Sequence, residues 1–210
     1  NAPRPSLKVI SLILKMNMNK KYLNNVITSD ETAMYAINKN KFGKKFFHLG
    51  PTRDDSIFAK VKNDKTEIEK SDFILCTGLF DEHNDDLNYY KKFLKRYVSK
   101  KLICTNPDLT VHRGTKEELC AGSVAKVFED LGGNVIYYGK PYKEIYSMCF
   151  DKKEKVLAIG DNLRTDIKGA NNSKIDSIFI SNGVHKNEFK NQNELNQLLI
   201  KHRVETNFFQ

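Results

Sequence analysis

KVLAIGDNLRTDIKGA, residues 155–170, decides how the chain is read. Val156, Leu157, Ala158 and Ile159 make a short apolar run with a sharp end, the pattern of a buried parallel strand. Gly160 stops the run and Asp161 follows at once. A carboxylate there stands at the carboxyl edge of a sheet, where open α/β folds place their ligands. Asp166 arrives in the first turn or so of a helix predicted over 163–170. Two hard oxygen donors at a sheet rim suit Mg²⁺, which takes a few carboxylates and keeps several waters.

Working outward, residues 135–138 read as a strand that ends in Gly139-Lys140-Pro141. A lysine there projects over the same sheet edge as Asp161, and its ammonium would neutralise a bound phosphate. Taken singly, Lys140 reads as one more surface lysine and Asp161 as a helix N-cap. Together, as G-K-P followed by G-D-x-x-x-x-D, they read as a site. The rest of the chain alternates in the same way. Pro5 opens a helix carrying Leu7, Ile10, Leu12, Ile13 and Leu14. Residues 22–28 look like a strand, with Ser29 or Asp30 capping a helix over 31–39. Strands follow at 46–49, 72–77 and 102–105, the last ending in Asn106-Pro107-Asp108, with a helix at 86–98 between them. Residues 52–70 are polar and hold only short elements. A helix beginning near Thr115 runs to Gly132-Gly133, and others cover 142–150 and 193–201, with a strand at 175–181. Strands alternating with helices argue for an α/β fold with parallel sheets.

Composition narrows the class. The 210 residues allow one or two domains, and 40% hydrophobic content supports a packed core. Cys76, Cys104, Cys120 and Cys149 are far apart and form no C-x-x-C pair, which points to buried, reduced thiols in a cytoplasmic protein. No run approaches the roughly 18 apolar residues of a membrane helix, and no secretory signal pattern is present. The net charge of +9 comes from lysines spread along the chain in short, separate clusters such as Lys20-Lys21 and Lys100-Lys101. That spacing argues against nucleic acid and for a solvated surface that draws in anionic substrates.

Gly139-Lys140-Pro141, the run from Gly160 to Ile167 (G-D-N-L-R-T-D-I) and Ser181-Asn182-Gly183-Val184 resemble the haloacid dehalogenase-like hydrolases. The branch is subfamily IIA, the NagD-type phosphatases. Ile27-Thr28-Ser29 and Thr105-Asn106-Pro107-Asp108 add to the likeness. The resemblance implies a Rossmann-like core with a parallel sheet over residues 1–29 and 136–210, and an inserted α/β cap over 30–135. It implies hydrolysis of a small phosphorylated metabolite with Mg²⁺ through an aspartyl-phosphate, and a homodimer formed through the cap. Lys140 resembles the catalytic lysine that holds nucleophile and phosphate. Asp161 and Asp166 resemble the acidic metal residues. Asn1 follows the position of the phosphate-binding Ser or Thr, and Asn1, Asn106 and Asp108 are the substrate-binding candidates.

One departure bears on activity. The family's D-x-D motif, which carries the nucleophile, is found at no suitable strand end here; Asp81 and Asp85-Asp86 fall in the expected cap. The sequence is therefore expected to be an N-terminally truncated piece, lacking the first core strand and inactive alone. Two other classes stay open: a non-catalytic phosphate-binding remnant, and a basic interaction protein that only inherits the fold. His112-Arg113 could contact an anionic group, though an exposed basic turn is the plainer reading.

Overall fold

The computed structural model describes every residue except Pro3, Asn24, Gly114, Thr115 and Lys152, and describes only the backbone at His112, Arg113 and Lys116. Two compact units follow one another along the chain, Asn1–Gly139 and Lys140–Gln210. Residues 1–29 thus lie in the first unit with residues 30–139.

The first unit opens with helix α1 (Ser6–Lys15), which follows Pro5 and buries none of its residues. A single 3₁₀ turn at Lys20–Tyr22 comes next. The strand expected at 22–28 is absent among the described residues; Asn24 and Asn25 interrupt its apolar sequence, and asparagine does not favour a strand. Helix α2 (Ser29–Asn38) starts earlier than expected. Thr28 caps it: its hydroxyl accepts the Glu31 N–H, while Glu31 reaches back to the Thr28 N–H. This reciprocal capping box satisfies two donors that a helix start leaves over, so Ser29 and Asp30 lie inside the helix.

Strands β1 (Phe46–Leu49), β2 (Phe73–Cys76) and β3 (Lys101–Cys104) follow. The first two are joined through the short 3₁₀ turns expected at 52–70. Helix α3 (Leu87–Leu94), capped by Asp86, connects β2 to β3. Beyond Pro107 the chain makes an antiparallel pair, β4 (Thr110–Arg113) with β5 (Lys116–Leu119). The helix expected from Thr115 therefore starts later, as α4 (Ala121–Asp130). Strand β6 (Asn134–Tyr137) closes a parallel sheet of order β1-β2-β3-β6.

That sheet is buried on both faces. Ile74 and Cys76 of β2 point with Leu102 and Cys104 of β3 into a core shared with Tyr90 and Leu94 of α3 and Val124 and Phe128 of α4. Phe73, Leu75 and Ile103 point the other way, against Ala33 and Ile37 of α2 and Phe58. The period of two in a strand makes this division.

The second unit holds helix α5 (Lys143–Cys149), strand β7 (Leu157–Gly160), a wide π-type turn at Leu163–Ile167 and helix α6 (Lys168–Ser173). Strand β8 (Asp176–Phe179), helix α7 (Gln192–His202) and strand β9 (Phe208–Phe209) complete it. Its parallel sheet runs β7-β8-β9. Leu163, Ile167, Phe179, Leu195, Leu198 and Val204 form its core. All four cysteines are free; Cys76 and Cys104 are buried as expected, while Cys149 at the end of α5 is exposed. No helix among the described residues is long and apolar enough to cross a membrane.

Candidate active site

β7 delivers Asp161 as expected. The strand ends at Gly160, and the backbone turns through Asn162 before the π-type turn begins. Asn162 caps that turn by accepting the Arg164 N–H at 2.9 Å. The turn takes the place of the first turn of the predicted helix, and such turns recur at functional sites. It carries Asp166 back over the strand end: a Cβ on Gly160 would lie 2.3 Å from Asp166 Cβ, closer than any real contact allows. Asp166 Oδ2 accepts the Asn162 N–H at 3.1 Å. Lys140, at the start of the second unit, donates to Asp166 Oδ1 as an ion pair. Burial, with the Asp166 charge added, pushes the Tyr146 hydroxyl above its ordinary range, and that hydroxyl lies 3.4 Å from the Asp166 carbonyl.

Asp161 is held from another direction. Its Oδ2 accepts the Val184 N–H at 3.0 Å. A Cβ on Gly183 would sit 2.3 Å from the Asp161 carboxylate. The Ser181-Asn182-Gly183-Val184 run thus closes against the carboxylate without room for a further atom. The next residue, His185, is fully buried and accepts the Leu163 N–H on Nε2 at 3.2 Å. His185 was not singled out from the sequence, where its only signal was its place directly after that run. With Glu188 and His202 it forms a cluster whose nitrogen and oxygen atoms lie within 4.8 Å of one another.

The donor set at β7 fits Mg²⁺. Asp161 and Asp166 offer hard carboxylate oxygens, and a glycine packed against each keeps the carboxylates at the backbone; carboxylate without thiol suits Mg²⁺.

The remaining candidates gather in the first unit. Asn1 donates from Nδ2 to Asp108 Oδ1 at 3.0 Å. Asn106, buried at the end of β3, accepts the Asp108 N–H on its side-chain oxygen at 3.2 Å, an Asx turn that fixes the Asn-Pro-Asp corner. A cavity of about 440 Å³ opens there, lined by Asn1 and Asn106 together with Arg4, Lys8, Arg53 and Asp54. Arg53 is paired with Asp81 across 3.2 Å, and burial raises the Asp54 carboxyl above its ordinary range. The side chains of His112 and Arg113 lie outside the described residues. The structure thus brings Asn1, Asn106 and Asp108 together in one unit, and Lys140, Asp161 and Asp166 together in the other.

Residues 137–202 match a family of HAD-hydrolase-like proteins. No curated protein matches the sequence. Among solved structures, p-nitrophenyl phosphatase from Archaeoglobus fulgidus is similar in fold, with TM-score 0.74 and 14% identity over 100% of this chain and 80% of that one. A 4-nitrophenylphosphatase from Thermotoga maritima is similar at TM-score 0.70 and 22% identity, over 100% of this chain and 78% of that one. A haloacid dehalogenase-like hydrolase from Brucella suis 1330 is 31% identical, with TM-score 0.78 over 88% of this chain and 74% of that one. A likeness of that extent in sequence and structure means that the chain belongs to the haloacid dehalogenase-like hydrolase family.

Proposed function

We propose that the chain serves Mg²⁺-dependent hydrolysis of a small phosphate monoester, as a phosphatase of the NagD-type branch. The observation that supports it is the pairing of Lys140 with Asp166 beside Asp161, at the carboxyl end of β7. Asp161 and Asp166 would hold Mg²⁺, which when bound neutralises charge on the phosphoryl oxygens. Lys140 presents a compact positive charge to the same oxygens. Val184 and Asn162 each give a backbone N–H to one of the two carboxylates and so orient them.

None of the 210 residues is assigned as nucleophile, and covalent phosphate transfer needs one. Residues 1–210 alone are therefore expected to bind Mg²⁺ and inorganic phosphate but not to turn over p-nitrophenyl phosphate. Calorimetry on the purified chain tests the reading. Asp161→Asn should weaken Mg²⁺ binding at least about tenfold, since it removes charge from a site with few donors. Lys140→Ala should weaken phosphate binding by about tenfold, or about 1.4 kcal/mol. A chain that binds neither Mg²⁺ nor phosphate overturns the proposal. Turnover by residues 1–210 that vanishes in Asp161→Asn would place the attacking carboxylate within these residues.

A further inference from the structure

His185 uses both ring nitrogens. Nε2 lies 3.2 Å from the Leu163 backbone nitrogen, and Nδ1 lies 2.6 Å from Glu188 Oε1. A backbone N–H can only donate, so Nε2 is the accepting nitrogen and carries no proton. The ring proton then sits on Nδ1 and is donated to Glu188. Glu188 Oε1, 2.6 Å from Nδ1, accepts that proton and fixes the tautomer in which His185 accepts from Leu163. Leu163 is the first residue of the turn that carries Asp166, and Val184, the neighbour of His185, holds Asp161. One short segment thus grips the carboxylate loop at its side chain and at its backbone.

The same bond argues against a metal at His185, Glu188 and His202, although the three lie close together and His202 Nε2 is buried with no hydrogen-bond partner. A metal on His185 Nδ1 would leave the ring proton on Nε2, pointing at the Leu163 N–H.

We propose that His185 is a positioning residue for the 161–166 loop, with Glu188 setting its tautomer, so that the imidazole holds Leu163 and thereby sets the spacing of Asp161 and Asp166 for Mg²⁺. This rests on the Mg²⁺ reading of that loop. Two isosteres test it. A Gln amide reaches the position of Nε2, whereas an Asn amide reaches only that of Nδ1. His185→Gln should keep the Leu163 amide protected from hydrogen exchange and bind Mg²⁺ close to wild type. His185→Asn should lose about tenfold of that protection, the worth of one buried hydrogen bond, and about tenfold in Mg²⁺ affinity, as other partners that orient metal ligands do. Both variants remove the imidazole, so a role in packing alone would move their readouts equally, and that result overturns the proposal. Should both fail to fold, Glu188→Ala serves, because the Glu188 side chain is 41% exposed. It should speed Leu163 exchange several-fold by freeing the tautomer; unchanged exchange overturns the proposal. Stoichiometric Zn²⁺ binding that His202→Ala abolishes would overturn it as well, in favour of a metal cluster. A wild-type chain with a protected Leu163 amide but no Mg²⁺ binding sinks the hydrolase reading instead, and the clamp is then judged on Leu163 exchange.

Discussion

The two parallel sheets share a connectivity logic and differ in how they are covered. In the first unit β2 is buried along its whole length, with Phe73, Ile74, Leu75 and Cys76 all at zero exposure. In the second unit β7 leaves Leu157 46% and Ile159 66% exposed. Apolar runs of equal length thus meet different fates, and burial comes from the flanking helices, not from the run itself. α2 covers one face of the first sheet while α3 and α4 cover the other. In the second unit the buried core gathers around Phe179 of β8, the 163–167 turn and α7. The candidate metal loop grows from the less covered sheet, so its rigidity has to come from hydrogen bonds and close backbone packing.

Three substitutions sharpen this contrast. Phe73→Ala should cost about 3–5 kcal/mol in urea unfolding, because the ring is enclosed by Phe42 and Phe46 and the cavity cannot collapse. A smaller cost would mean that the first sheet is looser than its burial implies.

The second substitution probes what deep burial costs the first unit. Asp30 is buried in α2 and its Oδ1 has no hydrogen-bond partner. Burial, with Glu31 and Asp54 adding to it, raises its carboxyl from 3.8 to about 8. The folded state therefore holds this proton where the unfolded chain has released it. The contribution of Asp30 to stability is full below about pH 4 and is lost as pH rises toward 8, where the carboxyl must ionise in place. Asp30→Asn should remove this slope, so its thermal midpoint should exceed that of wild type by more at pH 8 than at pH 5. Parallel midpoints across that range would show that Asp30 ionises freely. The smallest effect belongs to the open sheet: Ile159→Thr should change unfolding free energy by no more than about 0.5 kcal/mol, as exposed positions do. A loss as large as that of Phe73→Ala would show that the face of β7 is covered.

Local patterns carried most of this into the sequence. The four strands of the first sheet, β7 and β8 of the second, and the helices at 143–149 and 192–202 were legible because apolar runs and helical spacing are properties of a few neighbouring residues; the two-residue β9 is too short to leave such a pattern. The pair β4–β5 was not. Its second strand, Lys116–Leu119, is mostly charged, and antiparallel pairing with Thr110–Arg113 outvoted the helical pattern near Thr115. At the site, Lys140, Asp161 and Asp166 were legible from turn punctuation at strand ends. His185 and the N–H of Val184 were not, since what they hold lies more than twenty residues away along the chain.

Gly160 and Gly183 have a consequence for how the loop can vary. Each presents bare backbone to one carboxylate, and a methyl at either would lie 2.3 Å from a carbon of the aspartate it faces. The two walls therefore set the width of the slot between β7 and the 181–185 segment, much as shims set a bearing. Gly160→Ala or Gly183→Ala would each have to push its aspartate away from the wall that fixes it.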